Sequence, residues 1–123
     1  MIDLVLAPGL VADIEVLEPA PDRYVAAHRM AEQVALAVIA ATPARTRGRH
    51  DVWDLLALRC PELGEWAAFF GYLAPRVQAV LAGARAIIGE READDLVRDL
   101  GHFTADAARR VARTTPPRRQ EVS

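Results

Sequence analysis

The chain has 123 residues, 52% of them hydrophobic, but 24 of the hydrophobic residues are alanine, so the length suffices for one cooperative core and that core must be thin. Bases and acids number 15 and 17, leaving a net charge of −2, which argues against a general polyanion binder and confines any basic patch to one locality. Every base is arginine, which removes a lysine Schiff base and a Walker lysine from the possible chemistries, and the single cysteine, Cys60, closes no internal disulfide.

In chain order, residues 1–21 form an N-terminal segment in which Leu10, Ile14 and Leu17 are spaced for a short additional helix. Over residues 22–42, Tyr24, Ala27, Ala31, Val34, Val38 and Ala41 step by three and four, which predicts an amphipathic helix with Asp22 as its N-cap. Thr42-Pro43 ends it, because proline disfavours helical geometry in the preceding residue. A polar loop over 44–50 carries Arg45, Arg47, Arg49 and His50. Asp51 then caps a shorter helix bearing Val52, Leu55, Leu56 and Leu58, closed by Pro61.

A third helix is predicted over 62–83 with a stripe of Trp66, Phe69, Phe70, Leu73, Val77, Val80 and Leu81, kinked where Pro75 cannot donate back to Gly71. Gly89 with Glu92 marks the start of a fourth. Its apolar face is Ala93, Leu96, Val97, Leu100, Phe103, Ala107 and Val111, opposite a solvated face of Asp95, Asp99, His102 and Asp106. Residues 114–123 turn to proline and arginine without a period and are expected to be a disordered tail. No run alternates with period two. The fold class is all-α, a compact bundle of four to five helices with its body over 22–113.

Most candidate chemistries reduce to structural roles. The Asp99/His102 spacing matches that of metal-binding bundles, but it faces away from the apolar stripe and has no second pair to complete a ligand set, so no metal and no cofactor are expected. Cys60, before a proline and without a positioned base, reads as a structural cysteine. Trp53, Trp66, Phe69, Phe70 and Tyr72 lie within twenty residues and share their helices with leucines and Glu62 and Glu65, the pattern of a core cluster and not of a base-stacking platform. Arg45, Arg47 and Arg49, and separately Arg109, Arg110, Arg113, Arg118 and Arg119, are the groups able to hold phosphate. The longest uncharged run, over 33–44, has 12 residues against the ~18 that would suggest a membrane span. With no basic leader at its start and one cysteine in the chain, the expected location is the cytoplasm.

Four strings occur in order: Asp22-Arg23-Tyr24-Val25-Ala26-Ala27-His28, Val52-Trp53-Asp54-Leu55-Leu56, Pro61-Glu62-Leu63-Gly64-Glu65-Trp66-Ala67-Ala68-Phe69-Phe70 and Arg91-Glu92-Ala93-Asp94-Asp95-Leu96. Over about residues 22 to 113 the chain thereby resembles an Ala-rich actinobacterial branch of the HEPN superfamily, the higher eukaryotes and prokaryotes nucleotide-binding domains. The resemblance implies a helical bundle, commonly a homodimer, with RNA, a nucleotide or a protein as partner and no membrane. Active members of the superfamily are metal-independent ribonucleases using an arginine, four to six intervening residues and a histidine. The histidine moves protons at the ribose hydroxyl and the arginine stabilises charge on the phosphate.

Two pairs here fit that spacing, Arg23 with His28 and Arg45 with His50. With 15 arginines and three histidines, about one match arises by chance. Neither pair stands in the second half of the domain, where the nucleases carry theirs. Arg98 and His102 have one intervening residue too few. The resemblance therefore points first to a non-catalytic binding or interaction module. An endoribonuclease using these pairs and a structural partner of another protein stand as alternatives.

Overall fold

The computed structural model describes residues 8–43 and 46–114, and among them all regular structure is helical. Helix α1 spans Pro8–Glu15, α2 Ala20–Ala41, α3 Val52–Arg59, α4 Gly64–Leu81 and α5 Glu90–Thr114, with single 3-10 turns at Pro61–Leu63 and Arg85–Ile87. Arg45 and residues 115–123, and with them Arg118, Arg119 and most of the expected tail, lie outside the described residues; Thr114 closes α5.

Local chemistry accounts for most of the boundaries. Helix α2 begins two residues earlier than the sequence suggests. Pro19 stands at its N-cap and Pro21 in its first turn, and the Pro19 carbonyl accepts from the backbone N–H groups of Asp22 and Arg23 at 3.0 and 3.2 Å. Prolines suit that turn because its N–H groups have no helical acceptor. Asp22 is thus a first-turn acid beside the positive end of the dipole and not the cap. Thr42 leaves the helix with extended dihedrals before Pro43. Asp51 caps α3 as expected, its Oδ1 accepting from Asp54 N–H at 2.8 Å.

The third predicted helix divides. Pro61 opens a 3-10 turn, and α4 proper starts at Gly64 and carries Pro75 in its interior. At its end, Gly83 takes φ +116°, donating to Val80 while Ala84 donates to Ala79. This pattern satisfies the last carbonyls and calls for a residue without Cβ. Helix α5 starts after Gly89, with Glu90 and Glu92 in its first turn.

The most extensive packing is between α2 and α5, with α3 joining α4 and α2. Ala27, Ala31 and Ala35 form an i, i+4, i+8 row on α2, and Ala93 and Ala107 lie on the buried face of α5; all five are fully buried. Small side chains allow helix backbones to approach closely, so the alanines shape the bundle while a few aromatics fill it. Trp53 stacks on Phe70 at a centroid distance of 5.1 Å, and Phe70 meets Phe103 at 5.1 Å. Gly71 lies against the Trp53 side chain, where a Cβ would stand 3.4 Å from Trp53 Cβ, in van der Waals contact.

Two surface expectations are corrected. Of the five clustered aromatics only Trp53 and Phe70 belong to the core; Trp66 and Phe69 are half-buried and Tyr72 is 83% exposed. The face of α5 bearing Asp95, Asp99 and Asp106 is half-buried, and only His102 of that set is exposed. Trp66 and Phe69 of α4 lie beside this acidic face and shield part of it. No helix of the described residues is long and apolar enough to cross a membrane.

Candidate functional site

The first Arg/His pair is absorbed by the fold. Arg23, on the first turns of α2, is 2% exposed. Its guanidinium donates to Glu90 Oε1 at 2.5 Å and to the Leu17 carbonyl at 2.7 Å, with Asp94 at 3.1 Å and Glu18 at 3.5 Å. The hydrogen bond to Glu90 is the main reason its pKa is raised still further, so it carries a fixed charge. Those acids come from the start of α5 and the segment before α2, and the arginine ties both to α2.

His28 lies one turn further along α2, also 2% exposed. Its Nε2 is 2.9 Å from the Phe70 carbonyl of α4, which can only accept, so Nε2 carries the proton. The ring meets Trp53 and Phe70 edge-on at 5.7 and 6.0 Å. Arg23 and His28 thus serve different partners and present no joint surface to a substrate. His28 is hydrogen-bonded and Arg23 is held by hydrogen bonds at its terminal nitrogens and an ion pair to Asp94 at Nε, the pairing that lets such groups be tolerated in a core.

The second pair is only half described, Arg45 lying outside the described residues. His50 is exposed, and its Nε2 lies 2.9 Å from the carbonyl of Arg47, across a turn in which Gly48 takes φ +86°. Arg47 and Arg49 are exposed on the same turn. A residue the sequence did not single out anchors this segment. Arg59, at the end of α3, donates to Thr46 Oγ1 at 2.8 Å, Thr42 Oγ1 at 2.9 Å and the Ile39 carbonyl at 3.2 Å. Nothing in the sequence pattern marks Arg59, because its partners lie 13 to 20 residues away.

A third feature lies between α4 and α5, beside Trp66 and Phe69. Two adjoining hollows share Phe69 and Asp99. The larger, about 680 Å³, has Tyr24, Phe69, Leu73 and Leu96 in its walls beside the first turns of α5; the smaller, about 360 Å³, is lined by Glu62, Glu65, Trp66, Phe69, Asp99 and Asp106. The Trp66 indole donates to Asp106 Oδ2 at 3.2 Å, which sets its ring beside the acids. Burial pushes the Asp99 carboxyl above the ordinary range, against the opposing pull of Arg98 and His102. Next to the larger hollow, Arg76 grips Glu92 through two bonds of 2.5 and 2.9 Å.

Cys60 is buried, and burial together with Glu62 raises its thiol pKa, the setting of an inert structural cysteine. Among the described residues no group of three or more His, Cys, Asp or Glu is gathered as a metal ion would require. Compared with known protein families, residues 15–108 match the family described as SAV_6107-like HEPN. No curated protein and no solved structure gives a match.

Proposed function

We propose, from the premise that this chain belongs to the SAV_6107-like HEPN family, that it is a non-catalytic HEPN domain acting as a protein-interaction module in the cytoplasm. The assignment to an Ala-rich actinobacterial branch is part of the same reading, supported by the 24 alanines. One observation carries the non-catalytic reading: the Arg/His pair on α2 is committed to the fold. Acid–base catalysis needs a histidine within hydrogen-bond reach of the substrate hydroxyl. His28 at 2% exposure, with its Nε2 occupied by Phe70, offers no such reach. Arg23 is surrounded by Glu18, Glu90 and Asp94, so a phosphate approaching it would meet three carboxylates.

Incubating the purified protein with mixed RNAs in EDTA tests this. The expected result is no cleavage above the buffer control at micromolar protein. Metal-independent cleavage that is lost in His50→Ala would overturn the reading in favour of an endoribonuclease using His50 with Arg45. Superfamily members are commonly dimeric, and a homodimer belongs to the same proposal; sedimentation equilibrium showing a strict monomer would remove it.

A second reading places RNA or a nucleotide on the 46–50 turn. The observation favouring it is the exposure of Arg47, Arg49 and His50 on a segment held at its base by Arg59. Arginines presented in this way match phosphate geometry, and Arg45 would add a further positive charge. Titration with labelled RNA separates the readings. Phosphate contact predicts affinity that falls as salt rises, with a slope reduced by about one for each arginine removed, in Arg47→Ala and Arg49→Ala.

A further inference from the structure

The groove between α4 and α5 has a composition that the 46–50 turn lacks. Its smaller hollow is lined by four carboxylates and two aromatic rings. Asp106 is shared with Arg109 and Arg110, but Glu62, Glu65 and Asp99 have no arginine within ion-pair distance among the described residues. Aromatic rings beside carboxylates that no arginine bridges attract an organic cation through both the ring quadrupole and the charge.

The larger hollow supplies the second half of a recognition site. Phe69, Leu73 and Leu96 give it an apolar wall beside four acids and the cations Arg91 and Arg98, and Tyr24 stands in that wall, 1% exposed, with a hydroxyl that finds no hydrogen-bond partner among the described residues. A buried hydroxyl without a partner is costly, and it is a group for a ligand to satisfy. Beside the groove, Tyr72 stands 83% exposed, one turn from Phe69 on α4. An exposed tyrosine flanking an aromatic cleft is typical of protein interfaces. The acids disfavour nucleic acid here.

We infer that this groove docks a basic, amphipathic segment of a partner protein. An apolar side chain of the segment seats against Phe69 and Leu73, a polar group of the segment pairs with the Tyr24 hydroxyl, and a neighbouring arginine or lysine enters between Trp66 and the carboxylates of Glu65 and Asp99. The inference rests on the reading of the chain as an interaction module and names the surface and the chemistry of its partner.

The test uses the full chain and a fluorescein-labelled helical peptide of about twelve residues with leucines and arginines three and four apart; the same peptide with glutamates for arginines is the control. Anisotropy should report binding by the arginine peptide only, weakened about tenfold or more in the double variant Glu65→Gln/Asp99→Asn, two near-isosteric changes that remove charge and keep shape. Phe69→Ala should weaken it similarly. In spectra of the labelled protein the Trp66 indole N–H should shift on binding while that of buried Trp53 stays in place.

Equal binding of the glutamate peptide, no binding at hundreds of micromolar, or indifference to both sets of substitutions would overturn the inference. Conversion of a homodimer to monomer by Glu65→Gln/Asp99→Asn would also overturn it, since the occupant would then be a second copy. Failure of peptide binding with RNA still uncleaved in EDTA sinks the groove alone, whereas cleavage in EDTA sinks the non-catalytic reading whatever the peptide does.

Discussion

His28→Ala separates a structural histidine from a catalytic one. The substitution removes a ring that packs edge-on against the stacked Trp53 and Phe70, leaves a cavity in a core with few large side chains, and deletes the bond to the Phe70 carbonyl. Large-to-small changes at fully buried sites cost about 2–5 kcal/mol, of which ~1 kcal/mol here is the hydrogen bond. Against a total of about 5–15 kcal/mol for a domain of this class, a loss near 3 kcal/mol lowers Tm by roughly 10 °C. Urea unfolding followed by circular dichroism, with an unchanged denaturant slope, measures it. His28→Gln keeps an N–H donor at a similar reach and should recover about 1 kcal/mol of the loss. His50→Ala, on the exposed turn, should stay within about 0.5 kcal/mol of the parent. A His28→Ala protein as stable as the parent, within about 1 kcal/mol, would refute the assignment of this residue to the core.

Asp99→Asn should raise Tm at neutral pH. Burial lifts the carboxyl's folded pKa above its unfolded one, so the ionised form costs stability above the folded pKa; that cost vanishes as pH falls below the unfolded value. The gain measured by thermal melts should therefore shrink on acidification through the carboxylate range, and a constant gain across pH would refute the cause. Ala31→Leu, at a fully buried position in the alanine row of α2, should cost about 1–3 kcal/mol by overpacking; a neutral result would show that the α2 packing has room to spare. In the native protein Cys60 should react with iodoacetamide at neutral pH more than about tenfold slower than a free thiol, and reach the free rate only in denaturant. Fast alkylation of the folded chain would contradict its burial.

The sequence was most informative where the physics is local. The apolar stripe of α5 named Ala93, Leu96, Val97, Leu100, Phe103 and Ala107, all of which are buried, and Val111, which is partly buried, because a 3.6-residue period is visible in one segment. Thr42-Pro43, Asp51 and Gly89 marked helix ends for the same reason, since caps and prolines act within a turn of their own position. The four motif strings then carried the family, which the match over residues 15–108 supports.

Tertiary structure decided what each polar residue is for. Arg23 and His28 satisfied a catalytic spacing in the sequence, but their environments come from Glu90, Asp94 and Phe70, between 42 and 71 positions away in the chain, and spacing within one helix carries no information about such partners. The aspartates of α5 looked solvated because they oppose its apolar stripe; only the placement of Trp66 and Phe69 of α4 alongside them makes a groove. A helical period tells which residues share a face, and the packing of helices tells what that face meets. For this chain the first fixes an alanine-rich all-α bundle, and the second turns a candidate active-site pair into core and a presumed surface into a cleft.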